Sequence, residues 1–282
     1  MADALDRFLR EVSPGRRGYV REKTTLDLWI REHPLRGYRL DVISGADVAD
    51  WRDVRLRLVK PGSVLREMTL LRSVFEAARR DWGWIARNPM EDVRRPPRPQ
   101  PRQRRPSEQE ITQLCDALGY SEDGSLATQM SRVAVAMLLS IETAMRAGEI
   151  VGMTWQHVDL DSRVVLLPRT KNEDSRKVPL SSVALELLAG GGEGLIFPWW
   201  DGDPASLSKT TSRLSRQYGR IFEAAGAKGL TFHCLRHEAT CRLYERTTMT
   251  DLQIAKVTGH RDPRVLRRYA NLRGTDLAGM MW

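Results

Sequence analysis

Apolar residues recur at helical spacing throughout the first ninety-three positions, in short blocks over 3–12, 19–33, 44–58 and 62–81. The last block follows Pro61-Gly62-Ser63, a helix-start signal. Within it Val64, Met68, Leu71, Phe75 and Ala78 share one face, with Arg66 and Arg80 opposite and Arg72 and Arg79 on the flank. No strand alternation interrupts the pattern, so the segment predicts an all-helical bundle of about four helices.

The texture changes after residue 106. Ser107-Glu108-Gln109-Glu110 reads as a capping-box start, and a long apolar helix is predicted near 128–143. Residues 163–168 (RVVLLP) and 176–180 (RKVPL) flank the polar turn 171–175 and together read as strands of a small antiparallel sheet. From 206 to 282 the pattern is helical again, punctuated by Gly226, Gly229 and Gly259. The expected fold class is therefore mainly α: an N-terminal helical bundle, then a mostly helical α/β domain with a small antiparallel sheet.

Between the two lies RRPPRPQPRQRRP, residues 94–106, whose five prolines forbid helix and sheet and whose six arginines repel one another. An extended, polyproline-like tether is expected, and Arg94, Arg95, Arg98, Arg102, Arg104 and Arg105 are candidate contacts to a phosphate backbone. The net charge of +9 resides in this first part: residues 1–106 hold 24 Lys and Arg against 15 Asp and Glu, while 107–282 hold 21 of each. A basic unit beside a neutral one points to phosphate affinity in the first and local chemistry in the second.

Length, at 282 residues, fits two domains, and 41% hydrophobic residues describe a globular chain. No apolar run is long enough to span a bilayer, and the N-terminus lacks the apolar core of a secretory signal, so a cytoplasmic protein is expected. Cys115, Cys234 and Cys241 form no CxxC pair. His233, Cys234, His237 and Cys241 lie at turn spacing, but structural zinc ligands usually arrive as pairs across a loop, so buried, reduced thiols are the better reading. No metal or cofactor is expected, and activity should persist in chelator.

The candidate chemistry lies in the last third, where His233-Cys234-Leu235-Arg236-His237 precedes Gly259-His260 and then Tyr269. A tyrosine downstream of an Arg/His pair suggests a phenolic nucleophile acting on a phosphodiester, although by spacing alone Tyr269 reads better as a helix residue packed beside Leu266 and Leu272. Together with Glu142-Thr143-Ala144-Met145-Arg146-Ala147-Gly148-Glu149-Ile150 and the hairpin Thr170-Lys171-Asn172, these blocks resemble the signature of the tyrosine recombinase (phage integrase) family. The resemblance runs in the family's order from about 107 to 272, and the preceding helices are similar to the family's core-binding, SAM-like domain. Residues 1–93, 94–106, 107–272 and 273–282 are thus expected as core-binding domain, basic linker, catalytic domain and tail. Ala144 stands where glycine is frequent, and Glu238 where a small hydroxyl residue often follows.

Charge spreads over the nonbridging oxygens of a phosphodiester at its transition state, and guanidiniums suit those oxygens because they bond bidentately and stay charged. Arg146 and Arg236 are the candidates, with Glu149 one turn away to orient the first. The resemblance implies Tyr269 as nucleophile, Lys171 (rather than Lys177) as general acid for the leaving 5′ oxygen, and His233 and His260 as phosphate-contacting or proton-handling groups. His237 reads as structural. The family further implies double-stranded DNA as substrate, a homotetramer on two sites, a Holliday junction, and accessory DNA-bending or directionality proteins. The implied role is site-specific recombination for a prophage or other mobile element. A start directly at the helical domain would leave no room for an arm-site module. Resolvase and DNA invertase remain alternatives within the family, and a type IB topoisomerase or a non-catalytic DNA-binding protein outside it. Leu277, Met280, Met281 and Trp282 are apolar at the chain's end and are expected to pack on a neighbouring protomer.

Overall fold

The computed structural model describes residues 1–16, 18–100, 103–120, 126, 128–168 and 175–273. Lys171 and the apolar tail beyond residue 273 lie outside them. The chain divides into two compact units, Met1–Pro101 and Arg102–Trp282.

The first unit is all-helical among its described residues. α1 (Ala2–Arg7, continuing as a wider turn over Phe8–Val12), α2 (Tyr19–Glu32), α3 (Gly45–Leu58) and α4 (Pro61–Arg80) occupy the four blocks the periodicity predicts. α3 starts on a capping box in which the Ser44 hydroxyl accepts from the Asp47 amide and the Asp47 carboxylate accepts from the Ser44 amide. Val64, Met68, Leu71, Phe75 and Ala78 of α4 are fully buried, and Arg66, Arg72 and Arg80 are exposed. Leu70, Val74 and Ala77 widen the buried stripe, so α4 runs through the middle of this core rather than along its edge. His33 caps the far end, wedged between the rings of Trp29 and Trp51 at 5.2 and 5.3 Å. Its Nδ1 accepts the Leu35 amide, so the neutral ring carries its proton on Nε2.

The second unit is built around α6 (Gln129–Thr143), which is buried on nearly every side and starts on the Thr128 hydroxyl. α5 (Glu108–Ala117) begins on the capping box read at Ser107 and Glu110. Around α6 pack α7 (Ala147–Val151), α8 (Ser182–Glu186), α9 (Pro204–Ala224) and α10 (Phe232–Arg246), followed by α11 (Asp251–Thr258) and a 3₁₀ segment, Pro263–Arg273. The sheet is antiparallel in the order β1 (Val158–Asp159), β2 (Val164–Leu167), β3 (Arg176–Pro179), with Val165 opposite Val178 and Leu167 opposite Arg176. β1 was not foreseen, because two residues are too few for an alternation to show.

The arginine-rich segment does not behave uniformly. Arg94, Arg95 and Arg98 are exposed, outside any helix or strand, and Arg102 is outside the described residues. Arg104 and Arg105 are instead half-buried in ion pairs of the second unit: Arg104 with Glu110, and Arg105 with Glu238 at 2.7 Å and Glu245 at 2.6 Å. Glu238, buried on α10, also accepts from Arg242 at 2.9 Å, and Arg242 reaches Glu142 and Glu108. Burial would raise the Glu238 pKa, but Arg105 and Arg242 outweigh it and hold the carboxylate below its ordinary value.

Burial, aided by Arg55, pushes the His33 pKa down to about 4. The unfolded chain binds this proton near pH 6.5 and the folded chain only near 4, so stability is complete above pH 6.5 and is lost as pH falls from 6.5 to 4. The lowered pKa corresponds to a loss of roughly 3 kcal/mol. Denaturant unfolding should show a lower midpoint at pH 4.5 than at pH 7, and equal stability at the two would refute the buried neutral imidazole.

Candidate active site

Three backbone features bring the distant motifs together. α6 ends at Ala144, which takes the left-handed conformation (φ 55°) that glycine adopts without penalty and alanine only at a cost of about 1–2 kcal/mol. The turn lets the chain reverse into α7 with Arg146 at its N-cap. α11 ends at Gly259, also left-handed (φ 71°), so His260 is delivered back towards the end of α6. α10 presents His233, Arg236 and His237 from successive positions of its first two turns.

Arg236, 4% exposed, donates Nη1 to the Ala144 carbonyl and points Nη2 at His260 Nε2, 3.4 Å away. The other ring nitrogen of His260 lies 2.7 Å from the Thr258 hydroxyl, which donates to the Ile254 carbonyl. Burial first, then the charges of Arg236, Arg146 and Arg268, lower His260 to about pH 4. The ring is therefore neutral at pH 7, with its proton on Nδ1 towards Thr258 and its Nε2 lone pair towards Arg236. His233 is on the exposed side of α10; desolvation and the same arginines lower its pKa as well.

Arg146 donates Nη2 to the Gly259 carbonyl at 2.9 Å, and Nη1 to Glu149 at 3.1 Å. Its side chain is 35% exposed. Glu149 is not held by Arg146 alone. Arg176, at the start of β3, grips the same carboxylate at 2.6 and 2.9 Å and reaches the Val257 carbonyl with Nε at 3.3 Å. Burial would raise Glu149, and Arg176 followed by Arg146 reverses the effect and holds it ionised. Arg176 was not singled out from the sequence, where it is one of many arginines.

Tyr269 is 5% exposed. Its ring stacks on Tyr244 at 5.7 Å and lies beneath the Arg268 guanidinium, while its hydroxyl is 2.9 Å from His237 Nδ1. Burial raises the phenol pKa, against the pull of Arg268 and Arg236, so Tyr269 is protonated. His237, lowered to about 4 mainly by burial, is neutral and accepts that proton in a hydrogen bond. The residue read as structural thus holds the candidate nucleophile. Its position directly after Arg236, at the i+4 spacing from Cys241, gave no signal of that contact.

The structure therefore gathers Arg146, Glu149, Arg236 and His260 through direct hydrogen bonds, sets His233 on the exposed side of the same helix turn, and docks Tyr269 one residue beyond Arg236 on α10. Among the described residues no group of three His, Cys, Asp or Glu side chains is placed to hold a metal ion, and no helix is long and apolar enough to cross a membrane.

Known proteins resemble this chain in sequence and in fold. The sequence model of the Phage integrase family matches residues 104–275. A shufflon-specific DNA recombinase of Escherichia coli is 35% identical over 292 residues, covering 100% of this chain and 71% of the relative. A putative integrase/recombinase of Haemophilus influenzae is 32% identical over 271 residues, covering 94% and 84%. Among solved structures, the Tn1549 transposon integrase in complex with circular intermediate DNA superposes with a TM-score of 0.73 at 16% identity over 98% of each chain. A lambda integrase dimer bound to a COC′ core site gives 0.73 at 21% identity over 94% of this chain and 96% of that one. Motif order, fold and whole-chain likeness agree, and the chain belongs to the phage integrase family of tyrosine-type site-specific recombinases.

Proposed function

We propose that this recombinase cuts and rejoins double-stranded DNA through a covalent 3′-phosphotyrosyl intermediate, with Tyr269 as the nucleophile. The observation that carries the reading is the pairing of Arg146 and Arg236 around one turn, tied together through Ala144, Gly259 and His260. Two fixed guanidiniums separated by a neutral imidazole suit a phosphate whose nonbridging oxygens gain charge as phosphorus becomes five-coordinate. The Tyr269 phenol passes its proton to a neutral imidazole, His233 or His260, as its oxygen forms the new bond to phosphorus; the bond to the 5′ oxygen breaks, and that oxygen takes a proton from Lys171. Reversal by a 5′ hydroxyl of another strand restores a phosphodiester and the free phenol, so the bond energy is conserved and no nucleotide triphosphate is needed.

The resting contact with His237 sets a condition on the first step. Burial raises the phenol above its ordinary value and lowers the imidazole to about 4, so direct proton transfer between them is strongly uphill. Attack therefore requires the Tyr269 hydroxyl to exchange His237 for the phosphate and its arginines. His237 is the residue that holds the phenol until DNA is bound.

The exposed Arg94, Arg95 and Arg98, with the basic first unit, serve sequence-tolerant backbone binding. Arg104 and Arg105 take a different part, since their ion pairs engage them within the second unit. A homotetramer on two synapsed sites, exchanging one strand pair at a time through a Holliday junction, is the assembly that this chemistry serves; solved integrase relatives include a dimer on a core site and a tetramer on a Holliday junction. The apolar tail 274–282 is proposed to pack on the neighbouring protomer, and accessory DNA-bending proteins to set direction. A DNA substrate places the work in the cytoplasm. Integration for a mobile element, resolution and inversion differ in how two target sites are arranged and use the same active site.

The test uses duplexes selected by the protein from a random-sequence pool and then nicked just 3′ of the scissile phosphate, so that the short fragment carrying the released 5′ hydroxyl diffuses away and the adduct accumulates. Wild-type protein should form a covalent DNA adduct and Tyr269→Phe none, with equal DNA affinity. An adduct surviving in Tyr269→Phe would move the nucleophile elsewhere, and none from the wild type on a bound duplex would favour a binding protein. Arg236→Lys should slow adduct formation by about 10²–10³, the loss expected for one preorganised phosphate donor. A rate within threefold of wild type would remove Arg236 from the clamp.

A further inference from the structure

We infer that Arg176 is a positioning residue for the phosphate clamp: it shares the Glu149 carboxylate with Arg146 and fixes that guanidinium from the side away from DNA. This inference rests on Arg146 being a phosphate ligand, as proposed above.

The geometry is specific at each atom. Glu149 Oε1 accepts from Arg146 Nη1 at 3.1 Å and from Arg176 Nη1 at 2.6 Å. Oε2 accepts from the Arg146 backbone N–H at 2.6 Å and from Arg176 Nη2 at 2.9 Å. Each oxygen thus takes one bond from each arginine, and the four lone-pair positions of the carboxylate are filled. Glu149 cannot swing towards Arg146 or away from it without breaking the fork of Arg176.

The same guanidinium braces the other contact of Arg146. Arg176 Nε donates to the Val257 carbonyl at 3.3 Å and Arg146 Nη2 to the Gly259 carbonyl at 2.9 Å, so both cations face the end of α11, where its carbonyls concentrate negative charge. A Cβ on Gly259 would come within 2.8 Å of the Arg176 guanidinium carbon, which shows how closely that turn is pressed against it. Arg176 itself is 9% exposed, and its fork is committed to the protein side of the site.

Charge counting gives the arrangement a second purpose. Glu149 with Arg146 alone would be neutral, and the clamp would lose the field that attracts a phosphate. With Arg176 the trio carries +1, so Glu149 can orient Arg146 without cancelling it. Lysine at 176 would keep the charge and lose the fork; glutamine would lose both.

The test measures adduct formation on the nicked duplex by Arg176→Lys, Arg176→Gln, Arg146→Lys and the double variant Arg146→Lys/Arg176→Lys, alongside DNA affinity and thermal unfolding. Displacement of a reacting group by a fraction of an ångström costs up to about a hundredfold. Arg176→Lys should slow the adduct about tenfold at unchanged DNA affinity, and Arg176→Gln, which also removes the charge, about a hundredfold. In the Arg146→Lys background Arg176→Lys should add less than twofold, because it acts through the residue already changed. Losses that multiply in the double variant, or that track a fall in unfolding temperature, would make Arg176 merely structural. A rate within twofold of wild type in both Arg176 variants would overturn the inference outright. A wild type that forms no adduct would instead refute the proposed reaction, so the two failures are distinct.

Discussion

Glu149 accepts two hydrogen bonds on each oxygen, and its burial would be costly without the two guanidiniums that surround it. The site depends on this carboxylate. It joins α7, which presents Arg146, to β3, which presents Arg176, and both arginines then hold the end of α11. His260 follows directly from that end and meets Arg236 on α10. Four elements that share no local sequence pattern are thus registered to one another by one acidic group.

The proposed nucleophile is organised on a different basis. Tyr269 is held by packing against Tyr244 and Arg268 and by a neutral hydrogen bond to His237. A phosphate clamp must be rigid because its value lies in donors already aimed at the developing charge. A buried phenol must be able to leave its partner, and one hydrogen bond between neutral groups, worth about 0.5–1.5 kcal/mol net, is weak enough to be exchanged.

Much of this was readable in the chain. The helices of the first unit, the capping box at Ser107, the apolar helix near 128–143 and the β2–β3 pairing follow from local patterns, which need only neighbouring residues to be seen. Arg146, Arg236, His260 and Tyr269 were singled out because the blocks that carry them resemble the family's signature. What was not readable joins residues far apart in sequence: Glu149 and Arg176 are 27 positions apart, His237 and Tyr269 are 32 apart, and Arg105 and Glu238 are 133 apart. Charge density in the 94–106 segment suggested six equivalent phosphate contacts, and no local pattern can reveal that a carboxylate on α10 is opposite one of them. Ala144 was recognised as unusual for its position, but its left-handed backbone and the Arg236 bond to its carbonyl are visible only in three dimensions.

The ion pairs of Arg104 and Arg105 also decide where the catalytic part of the chain begins as a folding unit. By secondary structure it would start at Ser107, the cap of α5, yet a fragment cut there would strip Glu238 of one of its two cations and Glu110 of its arginine. Glu238 sits directly beside His237 on α10, so the damage would fall next to the tyrosine's resting place. A fragment that retains Arg104 and Arg105 keeps α10 electrically closed, and protease cleavage among the exposed arginines 94–98 would leave that closure intact.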